Sequence, residues 1–354
     1  MPNLQAVKNV ASFLLLSLIT CSSSGLYAQI GGRGVFQFLD VVSSPRVTGL
    51  GGKAVAFDEA DLNFALWNPA LLQEGMHGQL GLNHMNYPAG ISTGEASYVY
   101  HWEKIGTFQA GFRYFDYGTF DAADFQGIQQ GTFTAADYAF LLAGNRQIDS
   151  NWSVGVQAKV INSVLETYTS WGLAADVGIV YRIPRQRLAF SLLLRNMGGQ
   201  TETYAGVQEP LPFEIQFGIS NKFEHMPFRW QVTFEHLQQW DLSYFNPNGS
   251  QTDPLTGEPL DQELNFGEML LRHVVIGAEF QPVKAFHFQV GYSFRRRAEM
   301  RMLTRRSSAG LSFGFGLRLF KVYFNYARSI QHVAGSNNHI SLTADLGNFK
   351  RKKD

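Results

Sequence analysis

Arginines are concentrated in one short stretch near the C-terminal end of the sequence, where their spacing suits anion binding. The stretch contains Arg295, Arg296, Arg297, Arg301, Arg305 and Arg306. A guanidinium group can hold a phosphate or carboxylate through two parallel hydrogen bonds. Phosphate groups or an acidic face of a partner protein would therefore be suitable ligands. A solvated loop neutralised by counterions is the alternative, and the sequence leaves both interpretations open.

Residues arranged for catalysis are sparse. Gly310, Ser312 and Gly314 match the nucleophile pattern G-x-S-x-G, but that pattern functions on a turn from a strand into a helix. The surrounding residues instead predict a strand whose small side chains face a lumen. Neither H-E-x-x-H nor C-x-x-C, the common zinc-site patterns, occurs in the sequence. We therefore expect a non-enzymatic protein with no cofactor and no metal site.

Strands with alternating apolar and polar residues recur along the sequence. In one of them, Phe288 and Val290 alternate with Gln289 and Gly291. Charged residues are only 16 % of the sequence and aromatic residues 14 %, yet the mean hydropathy is slightly negative at −0.12. A strand with lipid on one side and a polar lumen on the other produces this combination, because only every second residue faces lipid. The sequence therefore predicts an all-β fold, a 14-stranded antiparallel transmembrane β-barrel.

The N-terminal 78 residues are predicted to form two segments before the barrel. Residues 1–28 have a positive charge at Lys8, then an apolar core, and end at Ala28, as an export signal peptide does. A lipoprotein signal with Cys21 acylated is the alternative. Residues 29–78 are predicted to be a hatch that plugs the lumen, because glycine clusters allow tight backbone paths and Asn-Pro begins turns. The hatch motif comprises Gly49, Gly51, Gly52, Asn68 and Pro69.

The barrel is predicted over residues 79–347, followed by a basic periplasmic tail over 348–354. Short connections are expected in the periplasm and long ones outside the cell, as in other outer-membrane barrels. The predicted long loops are 118–134, 196–212, 239–272 and 296–307. Strands are predicted near residues 79–87, 94–102, 107–117, 135–146, 152–163, 171–182, 188–195, 213–222, 228–238, 273–280, 286–295, 308–319, 321–329 and 339–346.

The hatch motif carries a family resemblance. Residues 45–52, followed by Asp58, Asp61 and residues 68–70, resemble the opening of the long-chain fatty-acid transporter-like barrels. Over residues 30–346 the chain most resembles the PorV/PorQ family of type IX secretion system outer-membrane proteins within that superfamily, and its PorQ-like members in particular. The later stretches that carry this resemblance are 171–178, 209–213, 273–279 and 291–297.

The resemblance implies a role at the outer membrane of Bacteroidetes-type bacteria. PorQ-like members anchor a surface protein of the PorZ type, which belongs with other members to a complex that attaches secreted cargo to lipopolysaccharide. Outer-membrane lipid, lipopolysaccharide and these proteins are the expected partners. Nucleic acid is not expected, because the formal net charge is zero. The alternative function is transport of hydrophobic small molecules, as in the fatty-acid branch.

Overall fold

Fourteen antiparallel strands form one closed barrel, which confirms the predicted fold class. Each strand pairs with its neighbours in sequence, and β1 closes the barrel against β14. The computed structural model describes residues 34–87, 90–124, 126–243, 264–300, 308–332 and 335–346. The strands are β1 (Gln79–Asn86), β2 (Ser92–Trp102), β3 (Gly106–Ala123), β4 (Gln129–Gln147), β5 (Trp152–Leu165), β6 (Tyr168–Ile183), β7 (Leu188–Glu202), β8 (Glu214–Lys222), β9 (Phe228–Phe234), β10 (Val274–Val283), β11 (Phe286–Ser293), β12 (Leu311–Leu319), β13 (Val322–His332) and β14 (Gly335–Asp345).

The alternation of side chains sets which face of the wall each residue occupies. Phe288 and Val290 of β11 point outward and are 43 % and 40 % exposed, whereas Gln289 between them is 1 % exposed inside the barrel. Two arginines on lumen positions, Arg113 and Arg195, are likewise buried. A period of two residues places successive side chains on opposite faces of a strand. The predicted apolar exterior and polar interior are therefore both present.

The two ends of the barrel differ in their connections. At one end, called the turn end, every connection is short: 103–105, 148–151, 184–187, 223–227, 284–285 and 320–321. The opposite end, called the loop end, has three long connections, 203–213, 235–273 and 294–310. In the described residues of these long connections lie two short helices, α3 (Phe266–Arg272) and α4 (Phe294–Met300). No helix in the described part of the chain is long and apolar enough to cross a membrane.

One predicted loop is a hairpin instead. The prediction of a long loop over residues 118–134 is wrong, because β3 continues to Ala123 and β4 already begins at Gln129. Thr119 pairs with Thr134 and Phe120 with Phe133, and the two phenyl rings stack 5.3 Å apart. Threonine and phenylalanine favour extended backbone, so the Asp and Gly residues nearby do not end the strands. β13 and β14 also extend beyond the predicted strands, because Ser329 pairs with Asn337 and Ile330 with Ser336.

The hatch runs through the lumen from the loop end to the turn end. Near its start, the Val35 amide donates a hydrogen bond of 3.1 Å to the Pro210 carbonyl at the loop end, and at its finish the Gly78 amide donates one of 2.9 Å to Val99. Between them lie α1 (Pro45–Gly49) and α2 (Leu62–Ala65). Nearly all apolar hatch residues are buried. The predicted signal peptide and basic tail lie outside the described residues.

Candidate functional site: the plugged lumen

Arg46 is the centre of an ion cluster that ties the hatch to the barrel wall. Its side chain is 2 % exposed and lies on α1, which starts with Ser44 as N-cap and Pro45 in the first turn. The guanidinium donates to Glu59 at 2.6 Å, to Asp61 at 2.9 Å and to Glu279 of β10. Because the fork of donors is shared among three carboxylates, one residue fixes α1, the segment before α2 and the wall together.

The electrostatics of this cluster favour the ionised carboxylates. Burial would raise the pKa of Glu59, but Arg46 and Arg229 oppose this effect and lower the pKa to about 2. Arg229 of β9 contacts the same Glu59 carboxylate at 3.1 Å. Glu59 therefore stays charged at neutral pH and bridges a hatch arginine and a wall arginine.

A second ion cluster lies nearer the loop end. Lys53 of the hatch donates a 2.7 Å hydrogen bond to Glu214 at the start of β8, a carboxylate with no solvent exposure. Trp67 of the hatch lies under two cations, with the Arg195 guanidinium 3.5 Å and the Lys53 ammonium 5.0 Å from its ring. Cations over an indole face gain stability when they are desolvated. This cluster fixes the middle of the hatch against β7 and β8.

Further hatch-to-wall ion pairs lie at both ends of the lumen. Asp40 contacts Arg195 at 3.3 Å near the loop end, and Asp58 contacts Arg182 at 2.8 Å near the turn end. Together with the Arg46, Glu59 and Lys53 contacts, they connect the hatch to β6, β7, β8, β9 and β10. These ion pairs hold the hatch along the length of the lumen, on five adjacent strands of the fourteen.

The predicted hatch glycines pack against glycines of the wall. Gly51 and Gly52 adopt positive φ angles of 103° and 93°, which glycine tolerates best. A Cβ atom on Gly291 would lie 2.0 Å from the Gly51 nitrogen, and one on Gly277 would lie 2.6 Å from the Leu50 carbonyl oxygen. Hatch backbone and wall backbone therefore touch directly at this point.

Asn68 and Pro69 of the hatch motif seat on a different part of the wall. The Asn68 amide donates to the Val55 carbonyl at 2.7 Å and to the Ser191 hydroxyl at 2.8 Å. A Cβ atom on Gly155 would lie 2.3 Å from the Pro69 carbonyl carbon. The structure therefore gives the motif residues a packing role in seating the hatch on the wall.

An apolar groove lies on the outer face of the wall opposite the Gly49–Gly52 turn. Its volume is about 330 Å³. It opens on the side of the barrel that contacts the hydrocarbon of a membrane. The lining residues are Trp230, Gln231, Val232, Ile276, Gly277, Ala278, Val290, Gly291 and Tyr292.

The structure describes three of the six clustered arginines, all on α4. Arg295 donates to Glu235 at 3.2 Å, and Arg296 donates to Ser329 of β13 at 3.0 Å. A Cβ atom on Gly52 would lie 2.9 Å from the Arg296 guanidinium. These two side chains thus bind the barrel rim beside the hatch. Arg301, Arg305 and Arg306 lie outside the described residues, so anion or partner binding by the cluster stays a prediction.

Glu214, Glu235 and His236 place three metal-ligand atoms within 4.8 Å of one another. Two backbone hydrogen bonds of 2.9 Å orient the Gln238 amide, so that its NH₂ group faces His236 Nδ1 at 3.5 Å. The imidazole proton is therefore assigned to Nε2, which faces both carboxylates and cannot bind a metal in that form. Burial also lowers the pKa of His236. Lys53 pairs with Glu214 and Arg295 with Glu235, so the two carboxylates are balanced by two cations within the protein.

The nucleophile pattern does not form the geometry that catalysis needs. Ser312 has no solvent exposure, lies in β12 and donates to the Gly291 carbonyl at 3.3 Å. After β12 the chain turns directly into β13. The strand-to-helix elbow that would expose the hydroxyl is absent at this position.

Sequence reasoning missed the charged residues that hold the hatch. Arg46 and Lys53 lie inside or beside the hatch motif, and Glu214 and Glu279 occupy lumen positions of strands. A charge on the lumen face needs a buried partner, so these residues carried a usable signal. The partner of each lumen charge could not be chosen from the sequence, because the hatch contains several candidates of each sign.

Comparisons with known proteins give structural similarity at low sequence identity. No family model matches the chain, and no curated protein matches it. It is similar to the CymD monoaromatic hydrocarbon channel, with 16 % identity, a TM-score of 0.49 and coverage of 86 % of this chain and 96 % of that chain. For the Pseudomonas putida toluene transporter TodX, the identity is 12 %, the TM-score 0.49 and the coverage 87 % and 98 %. For a Pseudomonas aeruginosa FadL homologue, the identity is 9 % and the TM-score 0.47, and the match covers 86 % of this chain and 98 % of that chain.

The fold and the lumen define the class of this protein. In a closed barrel, the backbone hydrogen bonds at both edges of every strand are satisfied, as a membrane requires. The apolar exterior suits lipid, and the polar interior holds a buried hatch. The chain is therefore a 14-stranded outer-membrane β-barrel with a plugged lumen.

Proposed function

We propose that this protein is a non-enzymatic outer-membrane anchor, which holds a surface partner of the cargo-attachment complex in type IX secretion. The observation that carries the anchor proposal is the set of ion pairs between hatch and wall, centred on Arg46 and Lys53. Removing one partner of a buried ion pair typically costs about 3–5 kcal/mol. A hatch fastened by several such pairs suits a fixed platform better than a gate that opens at each transport event.

The resemblance to the PorV/PorQ family supports the finer part of this proposal. It implies a partner of the PorZ type at the cell surface, and the loop end with its long connections is the side that we expect to face outward. Arg301, Arg305 and Arg306 remain the proposed contacts to lipopolysaccharide phosphates or to an acidic partner face.

Transport of hydrophobic small molecules is the second candidate function. The apolar groove favours it, because a molecule in the groove is separated from the hatch turn by a single layer of backbone at Gly277 and Gly291. The names of the similar structures agree with this candidate. Transport would require the hatch to leave its seat or the wall to part beside it.

A disulfide that locks the hatch to the wall separates the two candidates. A Cβ atom on Gly218 would lie 3.2 Å from the Ala56 Cβ and 2.5 Å from a Val55 methyl group. We therefore combine Ala56→Cys and Gly218→Cys with Val55→Ala to give the bridge room. The only cysteine of the sequence, Cys21, falls in the predicted signal peptide, so the new thiols have no competitor in the mature protein.

The locked barrel is tested in the native bacterium for attachment of secreted cargo and for uptake of a radiolabelled long-chain fatty acid. An anchor keeps cargo attachment under oxidising and reducing conditions, and its deletion strain loses attachment. A transporter loses uptake when oxidised and regains it with reductant. Ala56→Cys with Val55→Ala alone is the control. Normal cargo attachment in the deletion strain, together with redox-dependent uptake, would replace the anchor proposal with the transporter.

A further inference from the structure

The outer groove exists because a small residue lies between larger ones on the lipid face. Ala278 of β10 pairs with Trp230 of β9 on one side and with Val290 of β11 on the other. One pair nearer the loop end, Ile276 lies between Val232 and Tyr292 in the same way. The methyl group of Ala278 fills little of the space between an indole and a valine, so the wall is indented there.

At the floor of the groove, the backbone of the wall is in direct contact with the backbone of the hatch. Gly277 and Gly291 are direct cross-strand partners, and neither has a side chain to place between the strands and the hatch. Backbone atoms of Leu50 and Gly51 occupy that space instead. The hatch therefore supports the floor from inside, which keeps the indentation from collapsing inward.

The lining determines the chemistry of the ligand. Among the lining residues, Gln231 and Tyr292 have polar side chains. The Gln231 amide points away from the groove into the lumen, where it donates to the Leu50 and Lys53 carbonyls at 3.0 and 3.2 Å. The groove thus has an apolar surface and no charge with which to bind a headgroup. It opens sideways into the hydrocarbon layer, where acyl chains are the molecules at highest concentration.

We propose that this groove is a lipid site that binds a single acyl chain of a membrane phospholipid, independently of the headgroup. An acyl chain here fills the indentation and covers the glycine floor, so that the hatch turn and the chain pack on opposite faces of the same backbone. This lipid site goes beyond the proposed anchor function and does not depend on it.

The test uses the full-length barrel in vesicles that contain a low fraction of phosphatidylcholine with a diazirine group in one acyl chain. After illumination, mass spectrometry of the peptides locates the cross-links. We expect labelling concentrated on residues 228–234, 274–283 and 286–293. Ala278→Phe should abolish this concentration, whereas Ala158→Phe, the same change at an exposed position on β5, should leave it unchanged.

Assembly of each variant is verified by the heat-modifiable shift of the folded barrel on gels. If Ala278→Phe does not assemble, Ala278→Leu fills the groove with a smaller side chain and should reduce the labelling. Phosphatidylglycerol and phosphatidylethanolamine probes with the same tail should label equally. Labelling spread evenly around the barrel, labelling that Ala278→Phe or Ala278→Leu leaves intact, or labelling by one headgroup only would each overturn the proposal.

Discussion

Replacing Arg46 with Met should unseat the hatch while the barrel remains closed. Methionine keeps much of the volume of the side chain but leaves Glu279, which is 2 % exposed, without its cation. Glu59 and Asp61 are 29 % and 19 % exposed and are partly screened by solvent, so we count only the Glu279 pair. Its loss costs about 3–5 kcal/mol, which raises the population of unseated hatch roughly a hundred- to a few-thousand-fold.

Conductance of single barrels in a planar bilayer reports this change, because an unseated hatch opens an aqueous path through the lumen. Urea is increased until conductance appears, and Arg46→Met should conduct at a lower urea concentration than the unmodified protein. Arg182→Met is the matched control. It breaks a pair whose Asp58 partner is 33 % exposed, and should cost about 1 kcal/mol or less.

The double variant Arg46→Met with Glu279→Gln tests the stated cause. Removing the stranded carboxylate should restore part of the lost stability, because the penalty arises from an unpaired buried charge. Equal urea midpoints for Arg46→Met and the unmodified protein, or a double variant that is less stable than Arg46→Met, would refute this reasoning.

The remaining predictions concern lipid facing, close packing and pH. Phe288→Arg places a charge on the lipid face and should destabilise the folded barrel by about 2–4 kcal/mol in urea titrations, whereas Phe320→Arg in a connection at the turn end should change little; similar losses would contradict the assigned facing. Gly291→Ala should cost about 1–3 kcal/mol by overpacking against the hatch backbone, and Gly199→Ala, which has room for a Cβ atom, serves as its control in the same titration. The pKa of Glu59 is lowered to about 2 from its ordinary 4.5, so the stabilisation by its charge is complete above pH 4.5 and declines as the pH falls towards 2. Conductance at a fixed urea concentration should therefore rise as the pH falls over that range, and Glu59→Gln should weaken this rise.

The local pattern of the sequence was sufficient for the barrel itself. Alternation of apolar and polar residues depends only on neighbours along one strand, so the count of fourteen strands and the facing of Phe288 and Gln289 could be predicted. Strand ends were less predictable. Thr119 and Phe120 continue β3 past residues that are typical of turns, because pairing with β4 outweighs local preference.

The contacts that hold the hatch were decided by tertiary structure alone. Arg46 and Glu279 lie 233 positions apart, and nothing local to either residue selects the other as its partner. The sequence left anion binding and a solvated loop both open for Arg295 and Arg296, yet α4 directs them to Glu235 and Ser329 at the rim. The sequence by itself determined which residues face lipid and which face the lumen, because that property repeats every two residues. Which charges meet inside the lumen depends on how the hatch crosses a closed barrel, and therefore only the assembled fold determines it.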